Sequence, residues 1–150
     1  MDDDERSQIV NTKKSDELFS LANKVVVVTG GAGLLGQVFC QALVDVGAHV
    51  AIVDLDLASA ETVAKRTNKS DAQKVVAFGS DITSPESVTQ MVANVVKQLG
   101  RIDVLVNNAA SKGSSLDAFF ESFEDYSLKT WREVMSVNID GLFLVAQAVG

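Results

Sequence analysis

Thr29-Gly30-Gly31-Ala32-Gly33-Leu34-Leu35-Gly36 places four glycines in eight residues, directly behind Val25-Val26-Val27-Val28. A β-branched run of that kind reads as a strand buried on both faces. Glycine then lets the backbone turn sharply with no Cβ in the way. A helix starting at Leu34 would open with unpaired N–H groups and the positive end of its dipole. That is a cradle for a pyrophosphate. Strand, glycine turn and helix come in the order a dinucleotide site requires, and Asp54 closes the next strand.

Asp54 stands 18 residues after Gly36. A carboxylate there can accept hydrogen bonds from both hydroxyls of an adenosine ribose and would repel a 2′-phosphate. Gly31, Ala32, Gly33 and Leu55, the positions that could offset this with a cation, hold none, so NAD is expected in preference to NADP. The plainer alternative is that Asp54 only begins the turn into Asp56. Asp81-Ile82-Thr83 offers a carboxylate and backbone N–H groups to an adenine ring, or simply starts a turn. Asn107-Asn108-Ala109-Ala110 can tie neighbouring loops through amide bonds and leave room for a flat ring, or can form a loop with Asx turns. His49, the only histidine, is expected to be structural. No His, Cys, Asp or Glu cluster has metal-ligand spacing, and no metal is expected.

The elements that position these residues follow from periodicity. Strands are expected at Val25–Val28, His49–Val53, Lys74–Phe78 and Ile102–Val106. A helix is expected from Leu34 to Val46 with Leu35, Val38, Ala42 and Val46 near one face, ended by Gly47. A second helix covers Ala58–Arg66, followed by a loop at Asn68-Lys69-Ser70-Asp71. Ser84-Pro85-Glu86 is a strong helix start, followed by Val88, Met91, Val92, Val95, Val96 and Leu99 at helical spacing and stopped by Gly100. Ser111–Tyr126 reads as loop. A last helix runs from about Thr130, with Trp131, Val134, Val137, Leu144, Val145 and Ala148 taken as core. Strands alternating with helices imply an α/β fold with a doubly wound parallel sheet, strand order 3-2-1-4, and ligands outside the carboxyl ends of strands one and four.

The chain has 150 residues and a net charge of −7, room for one domain and no electrostatic footprint for nucleic acid. Residues 1–17 are polar, open on an acidic run and lack a signal-peptide pattern; they are expected to be disordered, with the domain proper at 18–150. No apolar run approaches the roughly 20 residues of a membrane span. The single cysteine, Cys40, suits a reducing compartment such as the cytoplasm and is expected to be a small buried hydrophobe.

With these residues in hand, the chain resembles the N-terminal, coenzyme-binding half of the short-chain dehydrogenase/reductase family. The resemblance rests on Thr29–Gly36, Asp54, Asp81-Ile82, Asn107–Ala110 and Val137-Asn138-Ile139-Asp140-Gly141. It implies a Rossmann fold, read here as truncated after the fourth strand and the following helix. It implies that Thr29, Gly30, Gly33, Leu34, Leu35 and Gly36 hold the pyrophosphate, with Asp54 and Leu55 at the ribose. Asp81 and Ile82 would lie at adenine, and Asn108, Ala109 and Ala110 would line the coenzyme pocket. Asn138 would be a catalytic-relay residue. Leu34 departs from the family's commoner Gly or Ala, and the Gly30, Gly33, Gly36 spacing is that of the extended branch. The family's catalytic serine and Tyr-x-x-x-Lys pair lie beyond Gly150; Tyr126, with Thr130 four residues on, is not their equivalent.

The resemblance implies an NAD-dependent oxidoreductase acting on an alcohol or carbonyl substrate, carbohydrates among the candidates, and a homodimer or homotetramer at full length. A non-catalytic dinucleotide-binding module and an extended-branch sugar-nucleotide epimerase or dehydratase are the alternatives. Residues 1–150 alone are expected to be inactive and prone to associate, through the edge of strand four and an uncovered face carrying Val134, Val137 and Val145. Valine at Gly36 is expected to abolish coenzyme binding more than it unfolds the protein.

Overall fold

The computed structural model describes residues 18–68 and 73–150; the expected disorder of 1–17 and the loop expected through 69–71 lie outside them. Four parallel strands, β1 (Val25–Thr29), β2 (His49–Asp54), β3 (Val75–Gly79) and β4 (Val104–Asn107), form one sheet in the order β3-β2-β1-β4. Between them run α1 (Leu34–Asp45), α2 (Leu57–Thr67) and α3 (Pro85–Leu99). After β4 come a short α4 (Leu116–Phe119), α5 (Leu128–Met135), a π turn (Ser136–Gly141) and α6 (Leu142–Val149). The expected order, directions and fold class are those observed. The differences are local: β4 starts at Val104, α4 interrupts the expected loop, and the last helix widens into a π turn.

Alternation along β1 feeds two cores. Val25 and Val27 pack with Val53, Phe78, Val88, Met91, Val95 and Val145 on one side. Val26 and Val28 pack with Cys40, Val50, Ile52, Ala60 and Val63 on the other. All five residues of β1 are buried, as a strand covered on both faces requires. Cys40 is fully buried, and burial pushes its thiol up to about 12, so it packs as a hydrophobe.

Two expected faces are corrected. Leu35, Val38, Ala42 and Val46 do share a face of α1, but it is the exposed one. The buried residues of α1 are Gly36 and Cys40; at Gly36 the helix lies too close to the glycine turn for any side chain, and Leu43 and Val44 pack against the core farther along. At the end of the chain Val134 and Val145 are buried, not uncovered, since α6 packs on α3 and β4. Trp131 is 49% exposed, Ala148 is exposed, and neither is core.

Helix boundaries follow their caps. Ser84 accepts the Ser87 N–H to start α3, and Gly100 ends it at φ 89°, a left-handed conformation glycine adopts freely. Asp56 starts α2 by accepting the N–H groups of Ala58 and Ser59. The Ser59 hydroxyl, which also donates to it, is the main reason its carboxyl lies below the usual range. His49 lies at the start of β2, where its Nδ1 accepts the Lys74 N–H at 2.9 Å. It is structural, as expected.

Asp103, just before β4, fastens the start of β1. Its carboxylate accepts the Val25 N–H at 2.9 Å and faces Arg101 and, at 3.7 Å, Lys24. The Val25 N–H is the chief cause holding its carboxyl below the ordinary value, with Arg101 and Lys24 adding to it. A carboxylate depressed in the folded state contributes stability above its unfolded pKa and loses it as pH falls through the folded value. Asp103→Asn is therefore expected to melt earlier than wild type at neutral pH. The gap should close in acid, below the carboxylate range. Thermal melts across that pH span check this; a gap that persists in acid would contradict it.

Candidate functional site

The site is built where β1 and β4 leave the sheet. Thr29 is fully buried. Its hydroxyl accepts the N–H groups of Asn108 and Ala109, each at 3.1 Å. The Asn108 side chain returns two bonds, donating to the carbonyls of Thr29 and Gly30 at 3.0 Å. Gly30 has φ 61°, and a Cβ there would lie 2.8 Å from Ala109 Cα. Asn107 donates to the Leu142 carbonyl at 3.1 Å, tying the exit of β4 to α6. Thr29, Gly30, Asn108 and Ala109 thus form one knot. Ala110 is exposed beside it.

The glycine turn then leads into α1. Gly33 takes the N-cap position with no side-chain cap. The helices that start from a loop after it are capped, by Asp56, Ser84, Ser115 and Ser127. The opening amides of α1, flanked by the exposed Leu34 and Leu35, therefore remain available to a ligand, with the helix dipole favouring an anion.

Asp54 reaches back to this turn. Its Oδ2 accepts the Ala32 N–H at 3.0 Å, and its Oδ1 accepts the Asp56 N–H at 3.2 Å. The carboxylate is oriented by the protein and keeps one acceptor direction on each oxygen. The plainer reading of Asp54 is seen directly, since it does hold the following turn. Leu55 beside it is 76% exposed.

Asp81 turns into its own loop, accepting the Thr83 N–H and hydroxyl at 2.9 and 2.7 Å. Its backbone N–H donates to Ser87 Oγ at 3.0 Å. Ile82 is buried and packs beneath Gly141 of the π turn, where a Cβ would come within 2.8 Å of Ile82 Cγ1. Asn138 sits in that same π turn. Its Oδ1 accepts the Ser111 N–H at 2.7 Å and its Nδ2 donates to the Ser111 carbonyl at 3.0 Å. The side-chain amide thus clamps both backbone groups of Ser111. Π turns inside helices are frequent at functional sites.

Three contacts had no local signal. Glu133 accepts the Ser114 hydroxyl at 2.8 Å and the Ser114 N–H at 3.3 Å. The hydroxyl is the main cause holding its carboxyl below the usual value. Ser111, as partner of Asn138, lies 27 residues away from it. Gln37 donates to the Ala32 carbonyl at 2.8 Å; only its place just after Gly36 could have drawn notice. Among the described residues no group of three His, Cys, Asp or Glu side chains is placed to hold a metal ion. No described helix is long and apolar enough to cross a membrane.

The comparisons with known proteins agree with this geometry. The family model described as short chain dehydrogenase matches residues 24–150. The NAD-dependent glycerol dehydrogenase of Listeria innocua is 33% identical over 138 residues, 92% of this chain and 50% of the relative. The D-threitol dehydrogenase of Mycolicibacterium smegmatis is 35% identical over 132 residues, 88% of this chain and 48% of the relative. The solved structure of an NAD+-bound xylitol dehydrogenase superposes with TM-score 0.78 at 30% identity, covering 85% of this chain and 47% of that one. The chain spans about half the length of these relatives.

Two substitutions test the knot and the turn. Thr29→Val keeps the volume but strands the N–H groups of Asn108 and Ala109. It is expected to cost about 2 kcal/mol or more, at ~1–3 kcal/mol per buried unpaired donor. Thr29→Ser keeps the acceptor and should recover most of that. Denaturant titrations of both variants measure it, and a valine variant as stable as wild type would refute it. Gly36→Val departs from the expectation drawn from the sequence. A Cβ on Gly36 would lie 2.1 Å from the Gly30 carbonyl oxygen and 2.7 Å from Gly31 Cα, so the clash is within the protein. The variant is expected to lose roughly 1–3 kcal/mol of stability without any ligand present, as overpacking does.

Proposed function

Because the chain belongs to the short chain dehydrogenase family of oxidoreductases, we propose that it is the coenzyme-binding part of an NAD-dependent enzyme. The reaction is hydride transfer between the nicotinamide and an alcohol or carbonyl carbon. The observation that carries this reading is the pairing of an uncapped helix start at Gly33 with the oriented carboxylate of Asp54. The first offers unused donors to a pyrophosphate, and the second offers acceptors to the paired hydroxyls of a ribose. Bound coenzyme would supply the hydride chemistry itself.

The chain's own residues hold and orient. Gly30, Gly33 and Gly36 keep the turn low, and the amides around Leu34 and Leu35 receive the diphosphate. Asp54 and Leu55 flank the ribose. Asp81 and Ile82 lie toward the base. Thr29 and Asn108 fix Ala109 and Ala110 as the floor on which a flat ring rests. Asn138 locks the Ser111 peptide and thereby the loop leaving that floor, which is its contribution to a proton relay. A tyrosinate beside a lysine, implied by the family likeness, would take the hydroxyl proton.

The named relatives bear the names of glycerol, D-threitol and xylitol dehydrogenases, and polyols or the corresponding carbonyl sugars are the substrate class we favour. We place the protein in the cytoplasm, with its one thiol reduced, and read the whole enzyme as a homodimer or homotetramer.

The expected outcome for the full-length protein is binding of NAD at least about tenfold tighter than NADP, roughly 1.4 kcal/mol. Asp54→Ala should remove most of that difference by weakening NAD. Calorimetric titration with both coenzymes measures it. Equal affinity for the two in wild type would refute the assignment of Asp54.

A further inference from the structure

We infer that Gln37, braced by Arg66, is a positioning residue that holds the Asp54 carboxylate in the orientation the coenzyme ribose needs. This rests on the reading of Asp54 given above. Ala32 lies between two glycines whose N–H groups donate to the Val53 and Gly30 carbonyls at 3.0 and 3.1 Å. Both of its own polar groups are fixed as well. Its N–H donates to Asp54 Oδ2 at 3.0 Å, and its carbonyl accepts from Gln37 Nε2 at 2.8 Å.

The amide of Gln37 has only one orientation that satisfies its neighbours. Arg66 Nη2 donates to Gln37 Oε1, and a guanidinium cannot accept. Arg66 therefore selects the oxygen, which turns the NH2 group toward the Ala32 carbonyl. The chain of bonds runs from the end of α2 through the first turn of α1 to the tip of the glycine turn and on to Asp54. Asp54 Oδ1 is set separately by Asp56. Loss of Gln37 removes the bond on the Ala32 carbonyl and leaves that peptide held through the Gly33 N–H alone, so the partner of Oδ2 is held less firmly while Oδ1 keeps its own.

The test uses the full-length protein and titrates NAD and NADP against wild type, Gln37→Leu, Gln37→Glu, Asp54→Ala and the Gln37→Leu/Asp54→Ala double variant. Glutamate is close to isosteric and still accepts from Arg66, but it has no NH2 to donate to Ala32. Both Gln37 variants are expected to weaken NAD about fivefold to tenfold, a usual size for coupled neighbours in one network. NADP affinity should not change, so the preference narrows. In the Asp54→Ala background Gln37→Leu should add nothing. A merely structural glutamine would move both coenzymes alike, and a direct phosphate ligand would act additively with Asp54; either result overturns the inference. NAD binding that depends on Asp54 but ignores Gln37 also overturns it and leaves the proposed function standing. No NAD binding by wild type overturns both.

Discussion

The hydroxyl of Thr29 is the point on which the site depends. At the end of β1 the chain must leave the sheet, and at the end of β4 it must do the same beside it. The N–H groups of Asn108 and Ala109 there donate to the Thr29 hydroxyl, and buried donors of this kind must be satisfied. Asn108 in turn satisfies the carbonyls of Thr29 and Gly30. The left-handed turn at Gly30, the start of α1 and the loop after β4 are therefore placed by a single exchange of hydrogen bonds, not by three independent loops.

Close approach governs the layer on the other side of that knot. A helix that begins at a strand end meets the sheet most closely in its first turns, and there it presents glycine and cysteine, with Leu43 and Val44 packing only in its last turn. Gly36 faces the Gly30 carbonyl, and Cys40 packs against the even-numbered valines of β1. The larger apolar residues of the first turns of α1 point outward, with Leu34 87% and Val38 62% exposed.

The parts legible in the sequence were those set by local rules. β-Branched runs gave the strands, Ser84 and Gly100 gave the ends of α3, and the order of elements gave the strand order. Thr29, Gly30, Asp54 and Asn108 could be picked out because glycine, a short carboxylate and an amide have few reasons to recur at strand exits. Which face of α1 is buried was not legible, because periodicity ranks Leu35 and Val38 above glycine and cysteine, whereas contact distance ranks them below. Asp103 on Val25 and Asn107 on Leu142 join residues 78 and 35 positions apart, where no local pattern reaches. The π turn at Ser136–Gly141 was hidden for a related reason: the crowding of Gly141 on Ile82 exists only once both halves have folded.

The distribution of helix caps gives the site its direction. A serine or aspartate at Gly33 would add a side-chain cap and stabilise α1 by roughly a few tenths of a kcal/mol over glycine, a cap that Asp56, Ser84, Ser115 and Ser127 supply to their helices. The chain forgoes that at α1 alone among these. The open helix end favours negative charge, and Asp54, linked to the same turn through Ala32, favours donors and excludes negative charge. On the function we propose, two neighbouring sites of opposite preference, joined through one backbone residue, would accept an extended ligand in a single orientation, with its diphosphate on α1 and its hydroxyls on β2. A phosphate added to those hydroxyls would set the two preferences against each other. On that proposal, discrimination between coenzymes would follow from how firmly Ala32 joins the helix end to the carboxylate.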